Sequence, residues 1–270
     1  MLELCAAFEN NVFDKFERVR RPDIFFCGMT LYDGDTHRPR HYLVDHPQIR
    51  CTLSERLCAQ GVRQFACSET QKFGHVTYFW NGHRSGMFDA KLETYVEIPS
   101  LAPPFDAHPE MRAQEIAETT AKNLLERATR FARVNFANGD MVGHTGNFEA
   151  TVRAVEAVDR ALGQLEKVVT DLCGALIVTA DHGNADDMAE RDAHTGAILR
   201  DRVGRMIPKT AHSLNRVPFY LALCPQDYAR LSLAPIQNRG LGNIAATVAV
   251  LLGFEAPEDF LPSLVSITGR

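Results

Sequence analysis

Three consecutive stretches decide the fold: Ala132–Ala137 (ARVNFA), Phe148–Thr170 (FEATVRAVEAVDRALGQLEKVVT) and Ala175–Ala180 (ALIVTA). A short apolar run, a long segment with helical periodicity and a second short apolar run make a βαβ unit. That unit predicts a parallel sheet with a helix laid across it. In the helical segment Val152, Val155, Val158, Leu162 and Leu165 fall on one stripe, expected to face the core, while Glu149, Arg153, Glu156 and Arg160 mark a solvated face.

The pattern repeats on either side. Further strands are expected at Ile24–Cys27, Arg63–Cys67, His75–Trp80 and Val217–Leu223, and helices at Leu53–Gln60 (stopped by Gly61), Pro109–Ala128 and Leu241–Gly253. Two stretches, Gly82–Pro104 and Ala189–Lys209, read as irregular surface. Alternation of this kind predicts an α/β protein with a parallel sheet flanked by helices. The chain has 270 residues, enough for one large domain or two modest ones. It is 45% apolar and 23% charged, which excludes a disordered or low-complexity polypeptide. With 29 basic against 34 acidic residues the net charge is −5, so bulk charge does not attract a nucleic acid. No apolar run is long enough to span a membrane and the first residues do not read as a secretory signal; a cytoplasmic location is expected. Seven cysteines at 5, 27, 51, 58, 67, 173 and 224 form no Cys-x-x-Cys pair and read as reduced thiols.

Ligands of open parallel sheets collect at the carboxyl ends of the strands. Asn138-Gly-Asp-Met-Val-Gly-His-Thr-Gly146 follows one predicted strand, Thr179-Ala-Asp-His-Gly-Asn184 closes another, and Thr210-Ala-His212 precedes a third. These loops carry Asp140, His144, Asp181, His182 and His212. Mixed carboxylate and imidazole donors suit Mn²⁺, Zn²⁺, Co²⁺ or Fe²⁺ better than the all-oxygen cages of Ca²⁺. A divalent-metal site is therefore expected. Each histidine alone would read as an ordinary hydrogen-bonded side chain; it is their grouping at sheet-edge loops that points to a metal.

The same three motifs, with Ser68–Gly82 (SETQKFGHVTYFWNG) and Gly240–Ala245 (GLGNIA), resemble the cofactor-independent (2,3-bisphosphoglycerate-independent) phosphoglycerate mutases of the alkaline phosphatase superfamily. Trp80–Gly86 (WNGHRSG) resembles the plant and trypanosomatid branch. The resemblance implies an isomerase of glycolysis that interconverts 3-phosphoglycerate and 2-phosphoglycerate through a phosphoserine at a two-metal site. It implies Mn²⁺ as the cofactor, with Mg²⁺, Co²⁺ or Zn²⁺ as substitutes. Asp140, His144 and His212 match the ligands of one ion, and Asp181 and His182 match two ligands of the other. Lys72 matches a catalytic lysine that contacts the phosphorylated serine; the family's Glu before it is Gln71 here.

The resemblance also sets an expectation about what this stretch lacks. The family's nucleophilic serine, the remaining aspartate ligand and most of the substrate-binding domain lie upstream of the matching region. Residues 1–48 are thus expected to be the tail of that transferase domain and 49–270 the larger part of the phosphatase-like domain. The isolated chain is expected to be inactive, and an unfilled slot is expected in its sheet. A missing segment or companion chain would be its partner. Two alternatives stand beside the mutase reading: a metal-dependent phosphohydrolase of the same superfamily, and an inert metal-binding remnant completed in trans. Thr145, Ser68 and Ser213 are the substitute nucleophiles nearest the motifs. Gly240–Ala245 imitates a dinucleotide fingerprint but lacks the preceding strand and the later acidic residue. His37, His41, His46 and His194 read as solvated, His75 and His83 as structural or surface residues, and Asp186 and Asp187 as acids in the first turn of a helix.

Overall fold

The computed structural model describes residues 1–34, 36–45, 49, 51–126 and 129–267. An amino-terminal layer holds α1 (Leu2–Glu9) and a short parallel pair, β1 (Gly28–Thr30) and β2 (Tyr42–Val44). The predicted strand at Ile24–Cys27 therefore forms a few residues later. His46 lies outside the described residues. Apolar side chains of this layer stand in solvent: Val12 is 87% exposed, Val19 96% and Phe25 77%.

The main body begins at α2 (Leu53–Ala59), whose Thr52 side chain accepts from the Glu55 N–H as an N-cap. β3 (Gln64–Glu69) follows, then α3 (Thr70–Gly74), β4 (Glu93–Ile98), α4 (Ala113–Leu125) and β5 (Phe131–Asn135). The sheet order is β4-β3-β5, all parallel, with Gln64 opposite both Glu93 and Phe131. Every residue of central β3 is buried, as expected of a parallel strand covered on both faces. Phe65 and Cys67 meet Ile116 of α4 on one face. On the other face Gln64 bonds Ser54 of α2, accepting from its Oγ at 2.8 Å and donating to its carbonyl at 3.0 Å.

Two expectations fail between β3 and α4. His75–Phe79, expected as a strand, is a single turn of π-helix that continues α3. Its β-branched and aromatic residues match strand propensity, but packing against β3 and β5 overrides that preference. Glu93–Ile98 lies in the stretch expected to be irregular and is instead an edge strand. Its polar alternates, Glu93 and Glu97, hid the pattern; Glu93 is buried and accepts the Phe88 and Asp89 backbone N–H groups.

After β5 come α5 (Asn138–Gly143), the 24-residue α6 (Phe148–Asp171) and β6 (Ala175–Thr179), so the βαβ order holds. The buried stripe of α6 is not the predicted valine stripe. Ala150, Thr151, Ala154, Ala157, Ala161 and Leu165 are buried, while Val152 and Val155 are 42% and 49% exposed. The reason is helix-on-helix packing: Ala161 and Leu165 meet Ala113, Ala117 and Ala121 of α4, and small side chains let the two axes approach. β6 pairs antiparallel with β7 (Phe219–Leu223). The chain ends in β8 (Leu231–Leu233), α7 (Ile244–Leu251) and β9 (Val265–Ile267), with β8 and β9 antiparallel.

β5 and β6 are joined by no ladder. A cavity of about 680 Å³ separates them, lined by Phe131, Arg133 and Val134 on one wall and Ala175, Leu176 and Ile177 on the other. On this side β5 therefore borders a cavity rather than a neighbouring strand. Among the described residues, no helix is long and apolar enough to cross a membrane.

Candidate metal centre

Four chain segments meet beyond the carboxyl ends of β3, β5 and β6. Lys72 sits in α3, directly after β3; Asp140 lies in the first turn of α5 and His144 at its end; Asp181 and His182 follow β6; His212 precedes β7. Because these strands end on the same side, side chains 68 to 72 residues apart become neighbours.

Asp140 is the hub. Its Oδ1 lies 3.0 Å from both His144 Nε2 and His212 Nε2, and the two ring nitrogens are 3.1 Å apart. Its Oδ2 pairs with Lys72 Nζ at 2.5 Å. Lys72 is only 6% exposed, so this charge is held in place rather than solvated. Burial pushes the Asp140 carboxyl up. The Lys72 hydrogen bond and charge, a hydrogen bond from Asn184 and the nearby His144 outweigh that and hold it below the usual carboxylate range.

His144 is oriented by its other nitrogen. Nδ1 is 2.6 Å from the Thr210 carbonyl, which can only accept, so Nδ1 carries the proton and Nε2 presents its lone pair to the cluster. Two ring nitrogens and a carboxylate oxygen at mutual distances of 3.0–3.1 Å form a compact donor triangle. Bonds of about 2.1 Å at right angles give donor separations of about 3.0 Å, so the triangle fits one face of an octahedral ion. Among the described residues this is the one group of three or more such donors able to share an ion. The donor set fits a divalent transition metal.

The second predicted set is looser. Asp181 accepts from the His182 N–H at 3.1 Å and lies 3.5 Å from His182 Nε2. His182 stacks on His212, with ring centroids 3.6 Å apart, so it adjoins the triangle without entering it. Its Nδ1 is buried and finds no hydrogen-bond partner among the described residues.

Several supporting residues carried no sequence signal of their role. Asn184, 4% exposed, donates to Asp140 Oδ1 at 3.0 Å. The approach depends on Gly143, where a Cβ would lie 2.3 Å from Asn184 Oδ1. Asp186 and Asp187 are not in a helix. Asp186 accepts from Ser213 Oγ at 2.9 Å and Asn215 Nδ2 at 2.6 Å, tying the His212 loop to the loop after β6. Asp187 pairs with Lys209 at 2.8 Å. Gly183 permits this clamp, since a Cβ there would sit 2.1 Å from Ser213 Oγ. The clue in the sequence was the proximity of Asn184 and Asp186 to His182, but spacing alone assigns neither a partner.

None of the three substitute hydroxyls stands free. Ser68 is buried and donates to Asn135 O at 3.0 Å, Thr145 donates to Val142 O at 2.6 Å, and Ser213 is held by Asp186. His75, exposed just after α3, has its pKa lowered by partial burial and then by the Lys72 charge.

Residues 28–256 match the family model described as the metalloenzyme superfamily. The chain belongs to the metalloenzyme superfamily. Within it, the chain is 43% identical over 267 residues to the 2,3-bisphosphoglycerate-independent phosphoglycerate mutase of Trypanosoma brucei brucei, covering 99% of this chain and 48% of that enzyme. It is 46% identical over 269 residues to the Ricinus communis enzyme of the same description, again covering 48% of it. A crystal structure of Leishmania mexicana phosphoglycerate mutase at low cobalt concentration superposes with a TM-score of 0.89 at 46% identity, over 98% of this chain and 48% of that one. The chain is thus homologous to the cofactor-independent phosphoglycerate mutases and spans about half their length.

Proposed function

We propose that this chain supplies the metal-binding part of a phosphoglycerate mutase that interconverts 3-phosphoglycerate and 2-phosphoglycerate through a phosphoserine. The observation that carries this reading is the Asp140–His144–His212 triangle with Lys72 buried against its free carboxylate oxygen. Asp140, His144 and His212 would hold one ion; Asp181 and His182 would contribute to a second. The ions would serve as Lewis acids that neutralise a transferred phosphoryl group. Lys72 adds a fixed positive charge, and Asp140 keeps that charge directed at the site rather than at solvent. Mn²⁺ is the metal proposed, with Co²⁺ a practical probe because the Leishmania mexicana relative was crystallised with cobalt present.

The nucleophile and the substrate-orienting groups are proposed to come from sequence that the relatives have and this chain does not match. Two observations support that reading: the chain covers 48% of the relatives, and an open slot lies between β5 and β6. Residues 1–48 would be the tail of a further domain, in keeping with the exposed Val12, Val19 and Phe25. A subunit completed in trans is the second reading, favoured by the same slot.

The test has two parts. Titration with Co²⁺, followed by visible absorption, is expected to show one firmly bound ion, lost in the double variant Asp140→Ala plus His212→Ala. No binding, or binding unchanged in that variant, would remove the metal assignment. With Mn²⁺, the chain alone is expected to show negligible mutase turnover, and turnover is expected to appear when the unmatched half of the Trypanosoma brucei relative is co-expressed. Robust turnover by the chain alone would overturn the proposed division of labour.

A further inference from the structure

Cys173 and Cys224 are 51 positions apart, yet their sulfurs lie 3.4 Å from each other. The antiparallel pairing of β6 with β7 brings them together: Ala175 stands opposite Leu223, so the residue two places before β6 and the residue just after β7 share one end of the pair. The two thiols differ in setting. Cys173 is exposed in the turn after α6, with φ of 53°, and Gln226 Nε2 donates to its sulfur at 3.7 Å. Cys224 is 7% exposed. Neither belongs to a group of three or more metal-type donors among the described residues, so a shared ion does not account for the pair.

A disulfide has an S–S bond of about 2.05 Å, so closure needs the sulfurs to approach by somewhat more than 1 Å, about what side-chain rotation in an exposed turn supplies. We propose that Cys173 and Cys224 are a redox modification site, which closes to an intramolecular disulfide when a hydroperoxide reaches the exposed Cys173.

The step balances as follows for hydrogen peroxide. The Cys173 sulfur attacks one peroxide oxygen, the O–O bond breaks, and the thiol proton leaves with the departing oxygen as water, giving a sulfenic acid. The Cys224 sulfur then attacks the Cys173 sulfur. The S–S bond forms, the S–O bond breaks, and a second water carries off the Cys224 proton. Two thiols lose two electrons to one peroxide. The neighbouring Cys224 hydrogen bond and charge raise the Cys173 thiol pKa, so the first step quickens as pH rises into the alkaline range. Cys173 and Leu223 also line the cavity between β5 and β6, so closure tethers one end of that cavity's wall.

The experiment is peroxide treatment of the whole chain at pH 8.5, followed by alkylation under denaturing conditions and mass spectrometry. The expected result is a loss of two alkylation sites, a peptide cross-link joining Cys173 to Cys224, and full reversal by dithiothreitol. Cys173→Ser, a change at an exposed position, is expected to abolish the cross-link. Cys224→Ser is expected to leave Cys173 as a sulfenic acid trapped by dimedone. Exposed Cys27 serves as the reference for a thiol oxidised without a resolving partner. Oxidation of Cys173 to a sulfinic acid with Cys224 still alkylatable, or both thiols remaining free while Cys27 is consumed, would overturn the proposal.

Discussion

Asp140 does two jobs with one carboxylate, and the two oxygens divide them. Oδ2 is committed to Lys72, while Oδ1 faces two imidazoles and Asn184. Removing Asn184 as Asn184→Ala is expected to weaken Co²⁺ binding about 10–100-fold, the usual cost of losing an outer hydrogen bond to a metal ligand. A titration that gives the wild-type affinity would show that Asn184 only packs. Protons also compete for the imidazole lone pairs, so binding is expected to weaken in acid. A flat affinity between pH 8 and 5 would count against histidine ligation. The metal-free protein has its own pH dependence. Since the folded Asp140 carboxyl is held below its unfolded value of about 3.9, its ion pair contributes full stability above that pH and loses it as pH falls through the lower folded value. Lys72→Met is therefore expected to flatten the acid limb of a stability-against-pH curve.

The helix α6 shows how packing, not hydrophobicity, selects a buried face. Valines were the natural candidates for the core, yet the alanine stripe is buried and Val152 and Val155 are exposed, because α4 lies close alongside. Leu165 is 2% exposed between the two helices, so Leu165→Ala is expected to cost about 2–5 kcal/mol in a urea unfolding experiment. Val155→Ala, at a half-exposed position, is expected to cost far less, and an equal loss would restore the valine face as the core. At the start of the same helix, Asn147 accepts the Ala150 N–H at 3.1 Å. Asn147→Ala should lower stability by about 1 kcal/mol, the usual value of an N-cap.

At the scale of the molecule, the main body sets a three-stranded parallel sheet beside a two-stranded antiparallel pair, β6 with β7, and the two share helices but not hydrogen bonds across the middle. Unpaired strand edges facing an open cavity are a docking surface and an aggregation hazard. The isolated chain is expected to bind the dye ANS and to lose that fluorescence, with a rise in Tm, once the relatives' unmatched half is co-expressed. Unchanged fluorescence in the co-expressed protein would show that the cavity is not where that half sits.

Most of the strands and helices along the main body, and the five metal-type residues, could be read from linear sequence because each depends on local facts: apolar period, glycine-bearing loops, and residue chemistry at strand ends; Lys72 was marked only by the resemblance to a family. Other features depend on pairs far apart in the chain. Glu93–Ile98 is a strand because β3 offers it an edge, and His75–Phe79 is helical where it packs against β3 and β5. Asp186 became a clamp because Ser213 and Asn215 came within reach. Among five candidate ligands, the fold draws Asp140, His144 and His212 into one triangle and leaves Asp181 and His182 beside it. Residue type says what a side chain is able to hold; distance across the fold says which of them hold the same thing.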